Sequence, residues 1–318
     1  YDNIIYREGK GTFSNPINMD SLNRKQQRIV YDLYRDAGRK YVFAHPEKFG
    51  NIIYRPVDRR ENYVKRCVGL PGDTFSIVDN DIYIDGVKQA RPRYMQLNYY
   101  VMTNGNLLTE KAFRTWGISK DDYEYSLVNN SADAYQQLSY LGFTPNEKGT
   151  FNPVYRLPLT QEMIDKMRNS NLIQEIVEEP GVFGGHVYPL DGDYGWTRSD
   201  YGPVWIPKKG ETIDLTLENL PIYERAIRNY EGNRLEVKDG KILINGTESD
   251  RYTFRMDYYM MLGDNRDNSA DSRFWGFVPE DHIVGKPLFL LISLDKDRGL
   301  FDGKLRFDRF FRSVKHGE

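Results

Sequence analysis

Two stretches of this 318-residue chain hold side chains whose types and spacing could do chemistry. The first surrounds Lys65 in the run Asn62-Tyr63-Val64-Lys65-Arg66-Cys67-Val68, which reads as a strand. It ends at Gly69-Leu70-Pro71-Gly72-Asp73, where Pro and two glycines predict a turn. Strand alternation places Tyr63, Lys65 and Cys67 on one face and Asn62, Val64, Arg66 and Val68 on the other. An ammonium on a face with Tyr and Cys is open to partial desolvation, and burial disfavours the charged form of lysine. A lysine tuned in this way can act as general base toward a hydroxyl nucleophile. The alternative is a lysine whose stem lies along the sheet while its head stays in water. On the residues alone, the alternative is the simpler reading.

The second stretch is Gly263-Asp264-Asn265-Arg266-Asp267-Asn268-Ser269-Ala270-Asp271-Ser272-Arg273, set between the apolar runs Tyr258 to Leu262 and Phe274 to Val278. A polar loop held between two buried strands must satisfy its own hydrogen bonds, which makes it rigid. Asp271 and Arg273 are spaced to pair with each other or with neighbours, and Ser269 offers a small donor and acceptor that could orient an amine. Two other readings stay open: a purely structural loop, or a cation site built on Asp264, Asp267 and Asp271. The cation site lacks the closing Glu of an EF-hand.

Other chemistries have less support. The single cysteine, Cys67, excludes an internal disulfide and a Cys-based zinc site, and the four histidines (His45, His186, His282, His316) show no ligand spacing. The 44 basic and 46 acidic residues nearly cancel, so there is no electrostatic footprint for nucleic acid. The longest apolar run, Leu288 to Ile292, is too short to span a bilayer. We expect an excised soluble fragment, with neither a cleavable signal nor an anchor.

The elements that must position these residues are mostly strands. Asn3-Ile4-Ile5-Tyr6 and Asn51-Ile52-Ile53-Tyr54 read as short strands, and Ser21 to Arg39 as a helix with Ile29, Leu33 and Tyr34 on one side. Phe75, Ile77, Ile82 and Ile84 alternate around Asp79-Asn80 as a hairpin, and Leu235, Val237, Ile242 and Ile244 repeat the pattern around Asp239-Gly240. Thr160 to Ser170 reads as a helix with Met163, Ile164 and Met167 on one face, and Pro221 to Tyr230 as another, with Pro in its first turn. The basic, aromatic tail Arg306 to Arg312 reads as a final strand, with contact to anionic lipid as the alternative. We expect a mainly β fold, α+β overall. Its discontinuous core would be formed by 1–89 and 201–318, with an inserted α+β subdomain at 90–200.

Lys65-Arg66-Cys67-Val68-Gly69-Leu70-Pro71-Gly72-Asp73 resembles the lysine motif of bacterial type I signal peptidases. Gly263 to Arg273, followed by Gly276-Phe277-Val278-Pro279 and Ile283-Val284-Gly285-Lys286, is similar to their second long motif. The resemblance implies a serine endopeptidase with a Ser–Lys dyad that removes signal peptides from exported preproteins, with no cofactor or metal. It implies that Lys65 is the general base, that Ser269 orients its amine, and that Asp271 and Arg273 hold the loop. Asp264 and Arg266 would be structural supports, and Asn62, Tyr63 and Val64 would lie beside an extended substrate. The implied location is the outer, extracytoplasmic face of the cytoplasmic membrane, reached through an N-terminal anchor.

One element of that pattern is missing. The family's nucleophile lies in a Ser-x-Met-x-Pro motif, and this chain contains no Ser-Met dipeptide. We expect the serine to precede Tyr1 and the fragment alone to be inactive. Ser14 and Ser21 lack the right neighbours and read as loop serines. Ser293-Leu294-Asp295-Lys296 matches a Ser-x-x-Lys pattern without its Lys-Thr-Gly partner. A non-catalytic homologue that binds exported polypeptides is the rival reading.

Overall fold

The computed structural model describes residues 2–15, 17–51, 62–128, 131–191, 194–299 and 303–314. Its N-terminal part is helical. Asn23 starts the long helix α2 (Arg24–Ala44), which follows α1 (Asp2–Gly11), by a reciprocal capping box: Gln26 N–H donates to Asn23 Oδ1 and Asn23 N–H to Gln26 Oε1, both at 3.0 Å. The two helices approach closely at two glycines. A Cβ on Gly9 would fall 1.7 Å from the Tyr34 carbonyl oxygen, and one on Gly38 1.8 Å from that of Ile5.

This packing corrects two expectations. Asn3 to Tyr6 is helical, because Ile5 buries against α2 and leaves Ile4 outside. The buried stripe of α2 is Gln27, Val30, Tyr31, Tyr34 and Val42, whereas Ile29 and Leu33 face solvent. The predicted strand at 51–54 lies, from Ile52 onward, outside the described residues.

The β structure starts at β1 (Arg66–Gly69), shorter than the predicted strand because Asn62 to Lys65 belong to no ladder. Next come β2 (Thr74–Val78), β3 (Asp81–Ile84) and β4 (Val87–Lys88). The β2–β3 turn, Asp79-Asn80, takes φ of 50° and 64°, the positive values a two-residue type I′ hairpin requires. β5 (Leu97–Thr103) is flanked by β6 (Val154–Leu159) and β7 (Ile173–Glu178). Its alternate residues feed two apolar clusters: Val101 meets Phe113, Trp116, Leu157 and Met167, while Tyr100 and Met102 meet Leu138, Phe143 and Val154. The helix Gln161–Arg168, capped by Thr160, buries Ile164 and Met167.

β8 (Tyr201–Trp205) returns to pair with β2, and β9 (Thr212–Asp214) pairs with a later strand, β13 (Arg251–Thr253). The helix Leu220–Arg225 begins with Pro221 in its first turn and continues as a wider π-helical turn over Ala226–Tyr230. The second hairpin, β10 (Leu235–Lys238), β11 (Lys241–Ile244) and β12 (Thr247–Glu248), repeats the register of the first. After β13 (Arg251–Thr253), the strand β14 (Tyr258–Leu262) lies between β1 and β15 (Val278–Pro279). A third cluster, with Phe75, Ile77, Val204, Ile206, Phe254, Tyr258, Met260 and Leu262, packs behind β1 and β14.

All of these ladders are antiparallel, and the architecture is α+β and rich in strands, as expected. The tail departs from the predicted strand. Phe307–Arg309 is a 3-10 turn, and only β17 (Arg312–Ser313) pairs, with β16 (Phe289–Leu290). Among the described residues, no helix is long and apolar enough to cross a membrane.

Candidate active site

The β1–β14 register brings the two chemical stretches together. Arg66 stands opposite Leu262 and Cys67 opposite Met261, so the next step of the ladder places Lys65 at Gly263, where the polar loop starts. Lys65 Nζ donates to Ser269 Oγ at 2.8 Å, although the two residues are 204 apart in sequence. Ser269 is buried, and Lys65 is partly exposed with its Nζ 5.9 Å above the Tyr63 ring. A glycine is required at 263: a Cβ there would fall 2.2 Å from Ser269 Oγ and 3.4 Å from Lys65 Nζ.

The loop's aspartates diverge to separate partners, which excludes their use as one cation cage. Asp264 receives both arms of Arg66 at 2.8 Å, and these bonds hold its carboxyl below the usual carboxylate range. Asp271, fully buried, takes Arg273 Nε at 2.9 Å and Nη2 at 2.7 Å, and also accepts the backbone N–H groups of Gly263 and Arg273 at 3.2 Å. Through the Gly263 N–H, the buried Asp271–Arg273 pair pins the residue opposite Lys65. Asp267 accepts from the Asn98 N–H at 2.7 Å and pairs with Arg198 Nε at 3.0 Å. Burial outweighs these partners and pushes its carboxyl up. Arg266 is buried with no partner for its Nε, and desolvation, aided by the nearby Arg273 charge, pushes it down to about 10.

Asn62, Tyr63 and Val64 lead into Lys65 outside any helix or strand, and all three are exposed, Val64 to 83%. Cys67 is exposed as well, so the face shared by Tyr63, Lys65 and Cys67 is open to solvent. Tyr63 leans toward Trp275, with ring centroids 6.5 Å apart. Ser14 is exposed, Ser21 sits in a short 3-10 turn with its hydroxyl donating to the Asn18 carbonyl, and Lys296 pairs with Asp121.

The "Signal peptidase, peptidase S26" family matches residues 15–148 and 248–292, more than half of the chain and both halves of this site. The chain belongs to that signal peptidase family. Among its relatives, the signal peptidase I of Buchnera aphidicola subsp. Baizongia pistaciae is 53% identical over 275 residues, covering 84% of this chain and 63% of that protein. The protein of the same name from B. aphidicola subsp. Schizaphis graminum is 47% identical over 270 residues, covering 83% and 59%. That from B. aphidicola subsp. Acyrthosiphon pisum is 22% identical over 263 residues, covering 81% and 57%. This signal peptidase chain therefore spans about three fifths of the length of these relatives.

Sequence reasoning missed four residues at this site: Asn98 and Arg198, which hold the loop from the 90–200 stretch, Glu179, which holds Arg198, and Gly263, to which it gave no role. Glu179-Pro180 and Arg198-Ser199 look like ordinary loop polar groups, because burial is invisible at a separation of dozens of residues.

Proposed function

We propose that this chain is the catalytic part of a type I signal peptidase, a serine endopeptidase using a Ser–Lys dyad to remove signal peptides from exported preproteins. The observation that carries the reading is the 2.8 Å hydrogen bond from Lys65 Nζ to Ser269 Oγ. A buried hydroxyl in a hydrogen-bonded loop fixes the amine at the end of an exposed segment, where a general base must stand.

The attacking serine comes from the part of the longer protein that this chain does not span. Its Oγ adds to the scissile carbonyl as Lys65 takes the proton. Lys65 returns that proton to the departing amine, the C–N bond breaks, and an ester acyl-enzyme forms. Lys65 then takes a proton from water as it attacks the ester, and returns that proton to the serine Oγ as the C–Oγ bond breaks. Backbone N–H and hydroxyl groups near the nucleophile stabilise the oxyanion. Every step is a proton or acyl transfer among side chains, substrate and water, so no cofactor enters.

In this reading Asn62, Tyr63 and Val64 receive the substrate as an added strand, which their exposure and lack of a ladder support. Asp271 and Arg273 hold the loop in shape, with Asp264 and Arg266 as further supports. Residues 1–89 and 201–318 form the core, and 90–200 an inserted subdomain, a division supported by the two apolar clusters gathered around β5. The working protein faces outward from the cytoplasmic membrane on an anchor outside this chain.

The test uses the full-length protein with a signal-peptide-bearing precursor. Lys65→Ala is expected to slow cleavage at least about 10²–10⁴-fold, the usual contribution of a general base. Cleavage within tenfold of the parent rate would overturn the reading.

A further inference from the structure

We propose that the buried chain Glu179–Arg198–Asp267 positions Ser269, and through it Lys65, so that the 90–200 stretch is part of the catalytic apparatus; this rests on the dyad reading above. Asp267 lies two residues before Ser269. Its carboxylate is held by the Asn98 N–H at 2.7 Å and by Arg198 Nε at 3.0 Å. Arg198 also reaches the far end of the loop, where its carbonyl accepts from Arg273 Nη1 at 3.2 Å. Its two contacts therefore bracket Ser269.

Arg198 itself has little freedom. Its guanidinium pairs with Glu179, and its stem lies against Gly184, where a Cβ would come within 2.4 Å of Arg198 Cδ. Glu179 is fixed in turn by Arg156, whose Nη2 donates to it at 2.9 Å, and by its own N–H to the Asn98 carbonyl at 2.9 Å. Burial works to raise the Glu179 carboxyl, but the hydrogen bonds from Arg156 and Arg198 prevail and hold it low. The backbone adds a second grip: Gln96 N–H donates to the Asp264 carbonyl at 2.8 Å, and Arg266 N–H to the Gln96 carbonyl at 2.9 Å.

Arg156, Glu179, Arg198 and Asp267 alternate in sign, so each buried charge is compensated by a neighbour. Neutralising Arg198 removes the cation that Glu179 and Asp267 share and leaves Asp267 with the Asn98 N–H alone, so the loop must move to relieve it. The Ser269 hydroxyl then shifts from Lys65. A misplacement of about 1 Å costs roughly 10²-fold in such a transfer.

The experiment compares Arg198→Met, Arg198→Lys and Glu179→Gln with Lys65→Ala in the full-length protein, following precursor cleavage against pH. For Arg198→Met we expect kcat to fall about 10–100-fold, KM to stay within about threefold, and the acidic limb of the pH profile to move. Arg198→Lys recovers part of the loss, and Glu179→Gln shows the same change on a smaller scale. If Arg198→Met does not fold, the isosteric Glu179→Gln decides. Unchanged kcat and pH profile in the folded variants overturns the proposal, and so does a change in KM alone, which would make the stretch a substrate-binding module. Active Lys65→Ala would sink the dyad reading itself. Inactive Lys65→Ala beside unaffected Arg198→Met and Glu179→Gln would sink only this inference.

Discussion

In the loop from Gly263 to Arg273, Asp271 has the Arg273 guanidinium to itself together with two backbone N–H groups; around Arg28, by contrast, two buried carboxylates share one cation. Arg28 lies 2.9 Å from Asp191 and donates from Nη2 to Glu224 at 2.8 Å, joining α2 to the helix Leu220–Arg225. Glu224 keeps a second partner in Arg228 at 3.0 Å, and its carboxyl stays low because the arginines outweigh burial. Asp191 is pushed up to about 6, first by burial and further by the Glu224 charge beside it. A private cation makes a buried acid a fixed part of the frame. A shared cation leaves one acid with its pKa pushed up by burial.

Three measurements would break or sharpen that contrast. The largest effect is expected from Arg273→Met, which strands the fully buried Asp271. Breaking such a pair costs about 3–5 kcal/mol, readable by denaturant unfolding; a loss under about 1 kcal/mol would mean that Asp271 is not held as a private pair. Arg28→Met should cost less, about 2 kcal/mol, because Glu224 retains Arg228 and Asp191 can take up a proton. Hydrogen exchange should then quicken in α1 and α2 while residues 263–273 keep their protection. Faster exchange in the loop would show the two regions to be one cooperative unit.

The smallest effect is a slope. Asp191 has a folded pKa above its unfolded value, so between about pH 4 and 6 the native state holds a proton that the unfolded chain has released. Its contribution to stability therefore falls as pH rises through that window and is level above it. Glu224 has the opposite sign, its contribution being lost as pH drops through the carboxylate range. Asp191→Asn should remove the falling term and leave the Glu224 term, seen as melting temperature across pH 4–7.5. An unchanged slope would mean that Asp191 does not titrate there, and the contrast with the loop would fail.

The parts legible in the sequence were those specified locally. Asp79-Asn80 and Asp239-Gly240 carry their turn geometry in their own residue types, and both hairpins form in the expected register. Thr160 with Ile164 and Met167 likewise announces its helix. The Lys65 and Gly263–Arg273 stretches stood out because they are polar runs with apolar neighbours. What escaped was decided by distant partners. Ile4-Ile5 has strand residues but lies in a helix because α2 offers a groove for Ile5. Ile29 and Leu33 are apolar yet exposed, since Gly38 and Tyr34 set the contact line. Glu179 and Arg198 pair across 19 residues and reach a loop farther still, so no window along the chain reveals them.

The close approach at Gly263 bears on how far this site could be transplanted. With no room for a side chain opposite Lys65, the spacing of the amine and the hydroxyl is set by main chain, with Asp271 holding the glycine's N–H from behind. Grafting a lysine and a serine onto another scaffold would copy the reactive groups without the ruler that separates them. A portable version needs the bare backbone position and the acid at its back, and a single methyl group added there would be the smallest edit able to undo it.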